Sequence, residues 1–198
     1  MRRFAVSALG ACALLVGSCG GTRPARLPDD VAGIASPALE GAPVHTLDVQ
    51  DDRVHVLLFV MTDCPIANSY APEIRAIVEE YGGERMRFFL VHVDPWVTPE
   101  EVATHTEEYG HGGMTVVRDP EHRLVAAVGA TVTPEVAVVT TDGVAYRGRI
   151  DDVYGALGRK RPTAAQRREL RDALAALRSG HAVEVSRTEP VGCLIPER

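Results

Sequence analysis

The hydrophobic and polar positions of this 198-residue chain form short apolar runs separated by segments with helical periodicity. Continuous apolar runs of about four to eight residues are typical of strands that are covered on both faces. We therefore predict strands at 44–49, 54–61, 86–93, 115–118, 136–140 and 144–149. The last two are separated by Thr141-Asp142-Gly143, a turn sequence that indicates a β-hairpin.

Apolar residues spaced three and four positions apart predict the helices. They lie at 65–81, 99–109, 119–128 and 164–178. The first contains Pro72, so we expect a kink or a later start. The second follows Thr98, with Glu101 in the position that a capping box requires.

Strands that alternate with helices predict parallel crossovers, and the late hairpin adds antiparallel pairing. The sequence therefore predicts an α/β fold with a mixed central sheet flanked by helices. The run 54–61 is the best candidate for a central strand, because it is apolar at almost every position. Open α/β sheets place their sites at the carboxyl ends of such strands, so chemistry is expected in the residues that follow.

The N-terminus has the pattern of a secretory signal peptide, predicted at 1–18. Arg2 and Arg3 precede a run of apolar and small residues that is too short for a stable transmembrane span. The sequence that ends at Cys19 is similar to the lipobox of bacterial lipoproteins, in which the cysteine is lipidated. We therefore expect an exported protein, lipid-anchored to a bacterial membrane and facing the periplasm or the cell exterior. An ordinary signal peptide cut nearby is the alternative.

Residues 20–43 are rich in Gly, Pro, Ala and Asp and show no periodicity. They predict a flexible tether between the lipid and a domain at 44–198. Loss of Arg2 and Arg3 with the signal peptide moves the formal net charge from −6 to −8. Because nucleic-acid binding requires a basic face, nucleic acid is not expected as a partner.

The chain has four cysteines. Cys12 leaves with the signal peptide and Cys19 carries the lipid, so Cys64 and Cys193 remain as thiols. Export places them in an oxidising compartment, where disulfides persist. No second cysteine is close to Cys64 in the sequence, so its partner would be Cys193 or a cysteine of another molecule.

Cys64 stands where the strand predicted at 54–61 gives way to the first predicted helix. A helix N-terminus carries partial positive charge and unpaired N–H groups, so a thiol placed there ionises more readily to the nucleophilic thiolate. Asp63 and Pro65 favour an exposed turn, although the negative charge of Asp63 opposes ionisation. We predict an exposed, reactive Cys64; a buried and inert cysteine is the alternative.

Several segments resemble the thioredoxin fold, and in particular its exported redoxin branch, which includes peroxiredoxin-like and membrane-anchored thioredoxin-like proteins. They are 62–73, His105 with 108–110, 129–135, 148–152 and 190–193. The resemblance implies a cis peptide bond between Thr133 and Pro134. In that fold this loop lies against the reactive cysteine and offers backbone groups to a bound peptide or thiol.

The chain departs from three related patterns. Thioredoxins carry two cysteines separated by two residues, but the second position here is Ala67. Peroxiredoxins bind peroxide with a Thr or Ser three residues before the reactive cysteine, where this chain has Met61, and Leu57 replaces the upstream proline. Copper-delivery proteins of the Sco type use two cysteines separated by three residues and a distant histidine, but the second position here is Asn68.

The resemblance implies a thiol–disulfide oxidoreductase in which Cys64 attacks, Cys193 or an outside thiol resolves the product, and Thr133 and Pro134 shape the pocket. Its partners would be protein thiols or disulfides, or a small thiol or peroxide substrate. No organic cofactor is implied, because sulfur does the electron chemistry. The alternatives are a peroxiredoxin-like peroxide reductase, a copper-handling or assembly factor for exported metalloproteins, and a docking module without catalysis.

The metal alternative requires copper held by Cys64, Cys193 and one histidine. The candidates His105, His111 and His122 show no tight ligand spacing. Scattered histidines are more often surface or core residues, and no metal site is predicted.

Overall fold

The structure, a computed structural model, describes residues 24–197. The strands are β1 (Val54–Val60), β2 (Met86–His92), β3 (Thr115–Arg118), β4 (Val132–Thr133), β5 (Glu135–Thr140), β6 (Gly143–Gly148), β7 (Tyr154–Ala156), β8 (Arg159–Lys160) and β9 (Cys193–Leu194). The helices are α1 (Pro65–Ser69), α2 (Ala71–Tyr81), α3 (Pro99–Glu108), α4 (Arg123–Val128) and α5 (Glu169–Arg178). None of these helices is long and apolar enough to cross a membrane. The predicted signal peptide and Cys19 lie outside the described residues.

A five-stranded sheet in the order β3-β2-β1-β5-β6 forms the centre of the domain. β1 pairs parallel with β2 and β2 with β3, whereas β5 runs antiparallel to both β1 and β6. All seven residues of β1 are buried, as expected for a central strand covered on both faces. The predicted α/β fold with a mixed central sheet is confirmed.

Two sequence signals at helix ends are confirmed. The segment predicted as one helix at 65–81 is interrupted at Tyr70, and Pro72 lies at the start of α2, where its missing N–H leaves no hydrogen bond unmade. Thr98 and Glu101 form the predicted capping box before α3. The break at Tyr70 leaves α1 as a separate helix of five residues that follows Cys64 directly.

The prediction of a strand at 44–49 is wrong. Val44 forms only an isolated bridge with Ser36, and the residues that follow do not pair with either edge of the sheet in the described part of the chain. Leu47 and Val49 are nevertheless buried. Their apolar side chains therefore pack on the core from an irregular segment rather than from a strand.

The last helix begins at Glu169, later than the predicted 164–178. The carboxylate of Asp152 accepts hydrogen bonds from the backbone N–H groups of Gln166, at 2.8 Å, and Arg167, at 3.1 Å. These bonds hold the preceding residues in a loop, because local side-chain acceptors compete with helical hydrogen bonds.

Residues 24–43 lie on the domain. Val31 and Ile34 are buried and belong to the hydrophobic core. Ala25 and Ala38 form backbone bridges to β6 and β3. The structure therefore differs from the predicted flexible tether over the part of that segment that it describes.

The chain after α5 follows the outer edge of β6 and then returns to the loop before β5. Arg147 donates its backbone N–H to Ser186 at 2.9 Å, and Thr188 donates to the Arg147 carbonyl oxygen at 3.0 Å. Beyond this point β9 pairs antiparallel with β4. The sequence predicted an extended tail here, and its pairing with β4 is a new finding.

Candidate functional site

Cys64 follows β1 and caps the short helix α1. Its Sγ accepts a hydrogen bond from the backbone N–H of Ala67 at 3.4 Å. Asp63 and Pro65 are exposed on either side, but the side chain of Cys64 is completely buried. The predicted exposed turn is therefore present, whereas the predicted exposure of the sulfur is wrong.

The cover over Cys64 comes from two segments that are distant in the sequence. The Sγ of Cys193 lies 2.7 Å from the Sγ of Cys64, and the carbonyl oxygen of Thr133 accepts a hydrogen bond from the Cys64 thiol at 3.1 Å. The sulfur is thus buried beneath a second thiol and a carbonyl group. Both are polar groups that can take part in sulfur chemistry or in binding a chain.

The pairing of β9 with β4 places Cys193 beside Cys64. Within this two-stranded ladder Cys193 lies opposite Thr133. Both cysteines are free thiols, although they are 129 positions apart in the sequence. Because a disulfide bond has an S–S length of about 2.05 Å, the 2.7 Å pair can close after an approach of about 0.7 Å.

The loop between β4 and β5 has the geometry that the resemblance implied. The peptide bond between Thr133 and Pro134 is cis, and this expectation is confirmed. Thr133 is completely buried, and its Oγ1 has no hydrogen-bond partner among residues 24–197. The structure therefore brings together Cys64, Cys193, Thr133 and Pro134, the four residues that the sequence nominated.

Glu135 holds this loop in place, and the sequence did not identify it. Its buried carboxylate accepts hydrogen bonds from the N–H groups of Thr131, at 2.7 Å, and Val132, at 3.4 Å. The other oxygen lies 3.4 Å from Nε of Arg147, and Nη1 of the same guanidinium donates to the Val128 carbonyl oxygen at 2.6 Å. The sequence did hold a signal for this role, which is an acidic residue at the start of a strand predicted to be buried. Because buried charges are normally paired, such a residue predicts a partner of opposite charge.

Burial raises the pKa of the Cys193 thiol to about 12, and the contact with Cys64 and the charges of Cys64 and Asp63 act in the same direction. A backbone hydrogen bond from Ile66 acts against this shift. Cys193 therefore keeps its proton at neutral pH.

Asn68 ties the turn at Cys64 to α3. Its side-chain Nδ2 donates to the Thr62 carbonyl oxygen at 2.9 Å, and its Oδ1 is 2.9 Å from Nε2 of His105. An amide oxygen can only accept, so His105 carries its proton on Nε2. The position that holds a second cysteine in the copper-delivery pattern is used here as a hydrogen-bonded link.

A cluster of three buried histidines adjoins this link. The ring centroids of His92 and His105 are 5.1 Å apart, and those of His105 and His111 are 6.0 Å apart. His122 instead donates from Nε2 to the Val93 carbonyl oxygen at 2.7 Å. Among residues 24–197 no group of three or more His, Cys, Asp or Glu side chains is placed to hold a metal ion. The copper alternative therefore finds no ligand set in this part of the chain.

The histidine cluster is uncharged at neutral pH. Burial lowers the pKa of His92 to about 3 and that of His111 to about 4, and repulsion from the neighbouring histidines acts in the same direction. Burial also lowers the pKa of His105. Both ring nitrogens of His92, and Nδ1 of the other two, have no hydrogen-bond partner within the described residues, so a proton added there meets no acceptor.

We expect acidification to destabilise the fold. The unfolded histidines titrate near pH 6.5, above their values in the native state, so the unfolded chain binds more protons below that pH. The free energy of unfolding should be highest above pH 6.5 and fall towards pH 4, by up to about 1.4 kcal/mol per pH unit for each histidine that stays neutral. Burial raises the pKa of Asp119 and of Asp151, which opposes the trend only at its acidic end.

Urea unfolding across this pH range measures the effect. His92→Leu should reduce the slope, because it removes a histidine whose pKa is much lower in the native state than in the unfolded chain. His181→Gln, at an exposed position, should leave the slope unchanged. Equal slopes in the wild type and both variants would contradict the prediction.

No family model matches the chain, and no curated protein matches it. Solved structures do share its architecture. An uncharacterized conserved protein from Geobacillus kaustophilus has a TM-score of 0.71 and 23% sequence identity, covering 90% of this chain and 92% of that chain. A hypothetical protein from Sinorhizobium meliloti has a TM-score of 0.70 and 21% identity, covering 88% of this chain and 92% of that chain.

A third solved structure has a described activity. It is a secreted Mycobacterium tuberculosis disulfide oxidoreductase homologous to E. coli DsbE, with a TM-score of 0.55 and 20% identity, covering 75% of this chain and 99% of that chain. At this level of identity the similarity establishes the fold. The chain has a thioredoxin-like fold, which confirms the fold that the sequence resemblance implied.

Proposed function

We propose that this protein is an extracytoplasmic thiol–disulfide oxidoreductase in which Cys64 and Cys193 form the reacting pair. The observation that carries this proposal is the 2.7 Å separation of the two sulfur atoms. Both belong to free cysteines in the described part of the chain. The pair supplies two thiols within one molecule, although Ala67 stands where thioredoxins have their second cysteine. A two-electron exchange is therefore possible without a partner thiol.

The reaction begins when the Cys64 thiolate attacks one sulfur of a substrate disulfide. A Cys64–substrate disulfide forms, the substrate S–S bond breaks, and the departing substrate sulfur takes a proton from solvent. Cys193 then gives up its proton and attacks the Cys64 sulfur, which forms the Cys64–Cys193 disulfide and releases the second substrate thiol. The substrate is reduced by two electrons, the protein pair is oxidised, and an external dithiol restores it.

The two cysteines have different roles because their environments differ. The Ala67 N–H group donates a hydrogen bond to the sulfur of Cys64, so a polar donor faces the attacking atom. The pKa of Cys193 is raised to about 12, in part by the charge on Cys64. Once Cys64 is bonded to substrate it carries no charge, so this contribution disappears and Cys193 ionises more readily.

Thr133 and Pro134 shape the pocket in this proposal, with the Thr133 carbonyl oxygen facing the Cys64 sulfur. The fold shared with a secreted disulfide oxidoreductase and the signal sequence predicted at 1–18 support an extracytoplasmic location. Lipid anchoring through Cys19 is part of the same proposal. The partners are protein thiols or disulfides.

Trapping the intermediate tests this assignment. Reduced Cys193→Ser, mixed with a peptide that contains one internal disulfide, should accumulate a mixed disulfide through Cys64, because the resolving thiol is missing. The matched variant Cys64→Ser should accumulate none, and the wild type should instead become lighter by two hydrogen atoms as its internal disulfide forms. Intact mass under non-reducing conditions distinguishes these products. Trapping through Cys193, or in neither variant, would overturn the proposal.

A further inference from the structure

Residues 153–168, called here the basic lobe, carry a concentrated positive charge. They include five Lys or Arg side chains and no Asp or Glu, although the whole chain has a formal net charge of −6. The five residues, all of them exposed, are Arg159, Lys160, Arg161, Arg167 and Arg168. The lobe therefore has the opposite charge to the protein as a whole.

The lobe begins with a hairpin whose tip is apolar. Leu157 and Gly158 join β7 to β8, and Gly158 adopts a positive φ of 69°. Residues 155–164 are all exposed, and the side chain of Leu157 is 67% exposed. A lone exposed leucine is ordinary on a protein surface, but this one lies at the tip of a hairpin whose second strand is basic.

Contacts at the base of the lobe hold the hairpin in place. A two-stranded hairpin alone is at best marginally stable in water. Tyr154 is buried, its hydroxyl lies 2.8 Å from Oγ of Ser69, and its ring centroid lies 5.6 Å from that of Tyr70. Arg161 donates its backbone N–H to the Val153 carbonyl oxygen at 2.8 Å. The lobe is therefore fixed to the end of α1, the helix that follows Cys64, while its tip stays in solvent.

We propose that the basic lobe is a docking surface for the anionic phospholipid headgroups of a membrane. Its cations contact the headgroups, and Leu157 enters the boundary between headgroups and acyl chains. Membrane-surface elements combine cations with apolar side chains in this way. An acidic protein surface would satisfy the charges of the lobe, but the exposed leucine at the tip favours lipid.

Docking of the lobe would fix the orientation of the domain on the membrane. Because the lobe is held against α1, Cys64 would stay at a set distance from the bilayer. The presence of the protein at a membrane rests on the lipid anchor proposed above, whereas the affinity of the lobe for anionic lipid does not depend on it.

Vesicle flotation tests the inference. The predicted mature chain 19–198, produced without lipid, omits the apolar run near the N-terminus, which would bind a bilayer by itself. This protein should float with vesicles of phosphatidylcholine and phosphatidylglycerol at low salt. It should not float with vesicles of phosphatidylcholine alone, and high salt should weaken its binding to the anionic vesicles, because salt screens exposed charges.

Two variants locate the binding surface. Arg159→Gln combined with Lys160→Gln should lower the partition coefficient about 25-fold, because each cation near an anionic surface contributes about fivefold. Arg161 is kept, because it pairs with Asp152 at 3.6 Å. Leu157→Ser should lower the partition coefficient about tenfold, because an apolar side chain is no longer removed from water.

Matched controls remove the same kinds of group elsewhere. Arg87→Gln combined with Arg123→Gln, both at exposed positions, makes the same change in net charge and should alter the partition coefficient by less than about twofold. Val185→Ser removes an apolar side chain that is 50% exposed and should have as small an effect. Circular dichroism of every variant should match the wild type.

Three results would overturn the inference. They are no flotation with the anionic vesicles, equal losses in the lobe variants and their controls, and binding to soluble polyglutamate but not to vesicles, which would assign the lobe to an acidic protein surface. Trapping in Cys193→Ser tests the oxidoreductase function, and the intact mass of the exported protein tests lipid attachment. Either of these proposals can therefore fail while binding of the lobe to anionic lipid stands.

Discussion

Replacing Cys64 by serine is expected to lower the rate of thiol–disulfide exchange by about 10³-fold or more, because the nucleophile is lost outright. A serine hydroxyl does not ionise at neutral pH and cannot form an S–S bond. The substitution removes one sulfur and adds no bulk, so the surrounding fold should be preserved. The measurement is the single-turnover reduction of a disulfide peptide by pre-reduced protein.

Cys193→Ser provides the matched control, because it makes the same chemical change 2.7 Å away. It should retain the first step, release of one substrate thiol, and lose formation of the internal disulfide. Circular dichroism of both variants should match the wild type. Exchange at the wild-type rate in Cys64→Ser, with Cys193→Ser inactive in the first step, would reverse the roles of the two cysteines.

Glu135→Ala is expected to have the largest effect on stability, about 3–5 kcal/mol, because it breaks a buried ion pair from one side. The substitution leaves the Arg147 guanidinium, whose side chain is 15% exposed, without its carboxylate. It also leaves the N–H groups of Thr131 and Val132 without their acceptor. Since these residues precede Pro134, the pocket loop should loosen along with the fold.

Glu135→Gln separates charge from hydrogen bonding. The amide oxygen can still accept from the Thr131 N–H group, so this variant should lose clearly less stability than Glu135→Ala. Glu121→Ala, at an exposed position, should change the free energy of unfolding by no more than about 0.5 kcal/mol. Urea denaturation of the three variants checks this order, and an Ala variant as stable as the Gln variant would be inconsistent with the ion pair described here.

The elements predicted most accurately are those that depend on local signals. β1 follows from a run that is apolar at every position except His55, and the break before α2 follows from Pro72, whose missing N–H is tolerated only in a first helical turn. The hairpin of β5 and β6 follows from its turn sequence. Cys64 could be predicted because it stands at the junction of a predicted strand and a predicted helix. A thiol at the start of a helix is expected to be reactive.

The features that escaped prediction depend on residues far apart in the sequence. β9 is a strand of two residues that exists because β4 pairs with it, and no periodicity shows in so short a segment. The burial of Cys64 is a consequence of that pairing, so it could not be read from Asp63 and Pro65. Similarly, the role of Glu135 depends on Arg147 of the next strand.

The strip of tail that runs beside β6 has a consequence for work with shortened versions of this protein. Arg147 uses its backbone N–H and carbonyl groups to bind Ser186 and Thr188, so these groups on the last strand of the sheet are already occupied. Unoccupied strand edges promote association between molecules. A fragment that stops after α5 would lose Cys193. It would also leave the edge of β6 uncovered and therefore tend to self-associate. Poor solubility and missing turnover would then arise together from one deletion, through two unrelated causes.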